Sequence, residues 1–143
     1  MMTLRRRQPA QALAFGAAST MLVLLAVALL MDAALLFGAQ RQALGLADAA
    51  ARAGAQQVDT AALRTDTPVQ LDIRAAEAAA RDYVVRHGPA AKVDAAANRR
   101  VLTVRVEVVA TTLLLRMPGQ GSVTVSGEAT AAPCIGIDGP ACP

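Results

Sequence analysis

The chain has 143 residues, a formal net charge of +3, one Tyr, two Phe and no Trp, which indicates a single domain with a small apolar core. The charge does not point to nucleic acid, because eleven Lys and Arg against ten Asp and Glu follow Phe37 and aromatic side chains that could stack on bases are scarce. Scattered carboxylates, a single His and the lack of a phosphate-binding glycine loop argue against an enzyme, so no catalytic residue, metal, cofactor or small-molecule substrate is expected.

The first element in the chain is a strongly apolar stretch, residues 10–37, which follows a basic stub, residues 1–9. No ionisable side chain occurs between Gln8 and Met31. About 20 apolar residues in a helix span the roughly 30 Å hydrocarbon core of a bilayer. The stretch therefore predicts a single transmembrane helix.

Three basic side chains set the expected orientation of this helix. They are Arg5, Arg6 and Arg7. By the positive-inside rule the N-terminus stays in the cytoplasm, and the rest of the chain lies outside the cytoplasmic (inner) membrane. A cleaved secretory signal has the same order of features, and Ala26-Val27-Ala28 matches its cleavage pattern, but the apolar run is longer than a signal needs. An uncleaved anchor is the favoured interpretation.

Asp32 is the one ionisable residue close to the end of the apolar stretch. An ionised carboxylate inside hydrocarbon is costly and is a functional candidate by default. About twenty apolar residues precede it, however, so it can lie at the outer membrane interface. Two interpretations remain open: an interfacial carboxylate, or a contact to a partner helix or a cation.

A helical period continues without proline over residues 38–66, which predicts an Ala-rich extension of the first helix. Small residues recur on one side of this extension: Ala43, Ala47, Ala50 and Gly54. Small side chains allow another backbone to approach closely, so these four are candidate contacts for a partner helix. The alternative is an ordinary Ala-rich helix that lies on its own domain.

Residues 67–133 predict a small exported α+β domain that begins with a second helix. Thr67 is the expected N-cap, with Pro68 at the first helical position. Asp72 is an alternative cap that starts the helix about a turn later. Gly88 and the proline after it end the helix.

A period of two after this helix predicts three antiparallel strands. The central strand contains Leu102 to Val108, and shorter strands are expected at residues 91–95 and 122–132. A turn around Asn98 and another at residues 118–121 connect them. We expect one helix to cover the apolar face of this sheet.

Residues 134–143 form a Gly- and Pro-containing tail with both cysteines of the chain, Cys134 and Cys142. Outside the cytoplasm these two side chains could form a disulfide, with two free thiols as the alternative.

The order of these features resembles a known family. The residues that carry the resemblance are the N-terminal arginines, Gln11-Ala12-Leu13, Asp32, the run RQALGLADAAARAGAQQVD from Arg41 to Asp59, and VTVSGEATA from Val123 to Ala131. In these features the chain is similar to the TadE/TadG-like pilus-assembly proteins of tight-adherence (Flp pilus) systems.

The resemblance implies a non-enzymatic, membrane-anchored component of pilus assembly or secretion, pseudopilin-like or accessory. Its partners would be pilins or other membrane proteins of that assembly, or further copies of itself. Family members processed like pilins carry a Glu early in the apolar segment, and the corresponding region, Ala10 to Ser19, has none. The alternative is a tethered binding or sensing module of the cell envelope that is unrelated to pili.

Overall fold

A computed structural model of the chain describes residues 8–64, 69–112 and 121–133. Within these ranges the helices and strands are, in chain order, α1 (Gln8–Ala55), α2 (Thr60–Leu63), α3 (Ile73–His87), β1 (Lys92–Ala97), β2 (Leu102–Thr111) and β3 (Ser122–Ala131). The strands form one antiparallel sheet in the order β1-β2-β3. The α+β fold class with a three-stranded antiparallel sheet is therefore confirmed.

The helix α1 is a single 48-residue element, roughly 70 Å long at 1.5 Å per residue. The predicted continuity between the apolar stretch and the Ala-rich extension is confirmed. The expected end near residue 66 is wrong, because the helix stops at Ala55. There the Gln57 N–H donates to the Gly54 carbonyl at 3.0 Å, and Val58 then pairs with Leu71 in an isolated antiparallel bridge.

The start of α3 also differs from the favoured prediction. Thr67 and Pro68 lie outside the described residues, and the chain before Ile73 is extended because Leu71 pairs with Val58. The N-cap is Asp72, whose carboxylate accepts a hydrogen bond from the Ala75 N–H at 3.1 Å. The alternative cap was thus the right one.

The other end of α3 agrees with the prediction, because the helix ends at His87 and Gly88 follows as the C-cap. The Gly88 N–H donates to the Val84 carbonyl at 2.7 Å.

The apolar face of the sheet is covered by two helices, not one, because the second half of α1 packs on β2 and β3 while α3 packs on α1 and β1. The Ala-rich extension therefore contributes to the core of the domain. Fully or almost fully buried side chains come from β2, α1 and α3: Leu102, Val104 and Val106; Ala47, Ala50 and Ala51; Ala76, Ala80 and Val84. Small side chains on both helices let the helices and the sheet approach closely.

The register of the sheet follows from the alternation along its strands. Leu102 pairs with Ala97 on one side and with Ala131 on the other, and the β2–β3 pairing continues to Thr111 opposite Ser122. The predicted turn at Asn98 is confirmed, since its side-chain oxygen accepts hydrogen bonds from the two N–H groups of residues 100 and 101 at 2.8 Å. The second predicted turn, residues 118–121, lies almost entirely outside the described residues.

Candidate functional site

The N-terminal half of α1 is an apolar surface that the described part of the chain leaves uncovered. Large side chains there are between half and four-fifths exposed, for example Phe15 at 82% and Leu30 at 70%. Among the described residues, α1 is the one helix that is long and apolar enough to cross a membrane. By length and composition alone, such a helix near an N-terminus is either a membrane span or a signal sequence.

Asp32 marks the point at which α1 changes from an exposed to a covered helix. Its side chain is only 2% exposed, whereas Met31 before it is 59% exposed. Asp32 also takes part in a polar or electrostatic interaction within the chain. Asp32 also lies three helical turns from Ala43, on the side of α1 that faces the sheet. The chain itself therefore buries this residue, a position that neither sequence interpretation described.

The predicted small-residue contacts all lie on the same face of α1, and the domain covers that face. Ala43, Ala47 and Ala50 are fully buried, and Gly54 is buried as well. At Gly54 the helix α3 comes so close that a Cβ would lie 2.7 Å from the Ala76 carbonyl oxygen. These residues do allow close approach of another backbone, as predicted, but that backbone belongs to the same chain. The structure thus favours the alternative of a helix lying on its own domain.

A second close approach joins β3 to α1 at Gly127. A Cβ on Gly127 would meet the Leu44 nitrogen, and it would lie 2.5 Å from the carbonyl carbon and 2.7 Å from the carbonyl oxygen of Ala43. The strand backbone therefore lies directly on the helix backbone. The sequence predicts a strand that contains Gly127 but not this contact, for which a glycine inside an alternating strand is the available signal.

Two side chains of α3 form hydrogen bonds with backbone groups at the outer edge of β1. Arg81 Nη2 donates to the Ala95 carbonyl at 2.9 Å, and Glu77 Oε1 accepts from the Ala97 N–H at 3.1 Å. The two side chains also pair with each other at 3.1 Å. The Ala97 hydrogen bond, assisted by Arg81 and opposed by burial, holds the pKa of Glu77 below its ordinary value of 4.5. The polar groups here stabilise the sheet edge.

Two further groups of polar side chains lie on the described surface of the domain. His87 is exposed, stacks on Tyr83 with ring centroids 4.1 Å apart, and places Nδ1 2.9 Å from the Tyr83 carbonyl oxygen. Within the described ranges, no group of three or more His, Cys, Asp or Glu side chains could hold a metal ion. An open cleft between the ends of α1 and β3 is lined by Asp48, Arg52 and Thr130, among others. Asp48 and Arg52 pair with each other at 3.0 Å, as their spacing predicts.

Two sets of predicted residues lie outside the described part of the chain. They are the orientation determinants Arg5, Arg6 and Arg7, and the disulfide candidates Cys134 and Cys142.

Comparison with known proteins assigns the chain to no family. No family model matches it, and neither the curated proteins nor the solved structures include a significant match.

Proposed function

We propose that this chain is a single-pass protein of the cytoplasmic membrane that carries a small exported domain and acts as a non-enzymatic component of a pilus or secretion assembly. The N-terminus lies in the cytoplasm, and the domain lies on the opposite side of the membrane. The protein acts by packing against other membrane proteins of the assembly. It is pseudopilin-like or accessory, in keeping with the TadE/TadG-like resemblance of its sequence.

The observation that carries the proposal is the continuity of α1. One helix supplies both the uncovered apolar surface from Leu13 to Met31 and part of the core of the domain, at Ala47, Ala50 and Ala51. No linker separates the two parts. A domain built in this way is held at a fixed height above the membrane, which suits a component whose neighbours are also anchored there.

The same continuity supports an anchor over a cleaved signal. Cleavage after Ala28 would leave Leu29, Leu30 and Phe37 on the mature protein, and these side chains are 54%, 70% and 70% exposed. A soluble protein rarely keeps such a run of large apolar side chains in water. A bilayer covers the large apolar side chains before Asp32, and partner proteins cover the exposed apolar side chains that follow it, such as Phe37.

The function is tested by affinity isolation of the full-length protein from membranes after chemical cross-linking. Pilins or other membrane components of a pilus or secretion system are expected among the cross-linked proteins, and loss of the gene is expected to reduce assembly of the corresponding surface structure. If neither is observed in a strain that makes such structures, the assembly role is wrong.

A helix exchange separates an assembly component from a tethered binding or sensing module. Residues 13–31 are replaced by an unrelated spanning sequence of equal length, which leaves Asp32 and the domain unchanged. An assembly component is expected to lose function, because its neighbours pack along the spanning helix. Full function with the foreign helix would indicate that the anchor is only a tether.

The orientation is tested separately by labelling single cysteines with a membrane-impermeant maleimide, after Cys134 and Cys142 have been changed to Ser. Ser126, which is exposed on β3, is changed to Cys as the outer probe, and Thr3 as the inner one. Label is expected on Ser126→Cys in intact cells, and on Thr3→Cys only after permeabilisation. The reverse pattern would refute the orientation.

A further inference from the structure

A stripe of large apolar side chains runs along α1 on a side that the domain leaves open. Val23, Leu30, Phe37 and Leu44 follow one another at intervals of seven residues and are 59%, 70%, 70% and 44% exposed. Seven residues are close to two helical turns, so these side chains lie in one line.

Four smaller or polar side chains lie beside this line, also at intervals of seven: Ser19, Ala26, Ala33 and Gln40. They are exposed apart from Ala33, which is partly exposed. We call the eight residues of the two lines the seam. Its alternation of large and small side chains at a heptad repeat is the pattern by which two helices pack side by side.

The seam extends well beyond the reach of lipid. If the bilayer covers α1 up to Met31, then Leu44 lies 13 residues further on, about 20 Å along the helix axis. At that level α1 already packs on the sheet, because Ala43 is fully buried next to Gly127. Lipid alone can cover Val23 and Leu30, and a soluble protein alone can cover Phe37 and Leu44. A single partner covers the whole seam only if it is a helix that crosses the bilayer and continues past it.

We propose that the seam is the interface of a parallel homodimer, in which α1 of a second copy of this chain packs in register along Ser19 to Leu44. The inference rests on the membrane anchoring proposed above. A second copy has the required combination of a spanning helix and a rigid extension of equal length. It also enters the membrane in the same direction, so the two helices run parallel.

The charge pattern fits two identical helices. The seam contains no ionisable side chain. In a parallel heptad pairing Arg41 flanks the seam and faces Leu36 of the other copy, which is uncharged. Asp48, one heptad further on, pairs with Arg52 of its own chain. No like charges therefore meet across the interface.

Gln40 supplies the register. It lies between Phe37 and Leu44, at a position that two helices would bury in their contact. A buried amide needs a hydrogen-bond partner, and Gln40 of the other copy provides one only when the helices are parallel and in register. A shift by one turn would leave both amides against apolar side chains, which is costly.

Gln40 and Leu44 of the seam stay exposed although α1 packs on the domain at this level. Contacts between α1 and α3 are made at Gly54 with Ala76 and at Leu46 with Gly88, on the covered face. The seam lies on another flank of α1, next to the position where β3 meets Leu44.

Cysteine cross-linking of the full-length protein in native membranes tests the proposal, with Cys134 and Cys142 changed to Ser. The chain offers matched pairs of positions beyond the membrane: Gln40→Cys on the seam against Gln42→Cys off it, and Leu44→Cys against Leu35→Cys. All four residues are exposed. Disulfide-linked dimers are expected at Gln40→Cys and Leu44→Cys, at about tenfold higher yield than at the two controls. Equal yields at all four positions would reflect random collision and would overturn the proposal. A cross-link from the seam to a different protein would also overturn it.

A second measurement excludes the possibility that the cysteines themselves create the contact. Leu44→Glu places two carboxylates in the interface and is expected to lower cross-linking at Gln40→Cys by about tenfold, a change of 1.4 kcal/mol. Leu35→Glu is the control and is expected to leave the yield unchanged. Equal effects of the two variants would refute a specific seam.

If dimers are absent while pilus or secretion components still co-purify, the homodimer is wrong and the proposed function stands. If dimers form without such components, the proposed function fails and the homodimer stands.

Discussion

Replacing Gly127 by Ala tests whether β3 lies directly on the backbone of α1. The added methyl would meet the Leu44 nitrogen and lie 2.5 Å from the Ala43 carbonyl carbon. Both atoms belong to the helix backbone, so no side-chain rotation relieves the contact. Overpacking of a close contact typically costs about 1–3 kcal/mol, and each kcal/mol lowers the Tm of a domain of this size by roughly 4–8 °C. A loss of about 4 °C or more in Tm is expected.

The assay is unfolding of the full-length protein in detergent, followed by the fluorescence of Tyr83, the one tyrosine of the chain. The matched control is Gly45→Ala, because a Cβ at Gly45 meets nothing within 4 Å and Ala is favoured over Gly in a helix by about 1 kcal/mol. The same chemical change is thus expected to destabilise at one position and to stabilise at the other. Adding Ala43→Gly to Gly127→Ala is expected to give no rescue, since the contact involves backbone atoms. A stable Gly127→Ala variant, or rescue by Ala43→Gly, would refute the reasoning.

Three further predictions concern the stability of the domain in the same assay. The folded-state pKa of Glu77 is lowered, so the stabilisation by its ionised carboxylate is present above the ordinary pKa of 4.5 and is lost as the pH falls through the folded-state pKa. Glu77→Gln is expected to reduce this loss of stability in acid. An unchanged pH profile of stability would contradict the prediction. Asp72→Ala is expected to cost about 1 kcal/mol and Asp72→Asn much less, because Asn also caps a helix; equal losses would mean that the cap is unimportant. Leu102→Ala is expected to cost about 2–5 kcal/mol, whereas Val109→Ala, at a residue that is 54% exposed, should change stability by no more than about 0.5 kcal/mol. Similar costs for these two variants would contradict the assigned core.

The fold class was predictable because apolar residues recur in the sequence with clear helical and strand periods. The change from a helical period to a period of two near Lys92 predicts the sheet, and Asn98 and Gly88 predict local chain reversals through their own backbone chemistry. These signals involve residues close to each other in the chain. They require no knowledge of tertiary contacts.

The parts that were missed depend on contacts between distant residues. The helix α3 starts at Ile73 because Leu71 pairs with Val58, and no local pattern around Thr67 reports that pairing. Gly127 lies against the Ala43 backbone although the two residues are far apart in the sequence. The burial of Asp32 likewise depends on where the rest of the chain packs. For the same reason the sequence left open whether the small-residue face of α1 meets a partner or the domain.

If α1 anchors the chain as proposed, its continuity couples the domain mechanically to the segment in the membrane. Spanning helices tilt by about 20° on average, and the 23 residues of α1 beyond Asp32 correspond to roughly 35 Å of helix. A tilt of that size would carry the far end of α1 about 12 Å sideways, and the sheet and α3 would move with it. In the proposed membrane-anchored form, any event that changes the tilt or rotation of α1 in the bilayer therefore moves the folded domain with it. In the same form, a force on the domain would be transmitted to the bilayer through α1, because no flexible linker lies between them.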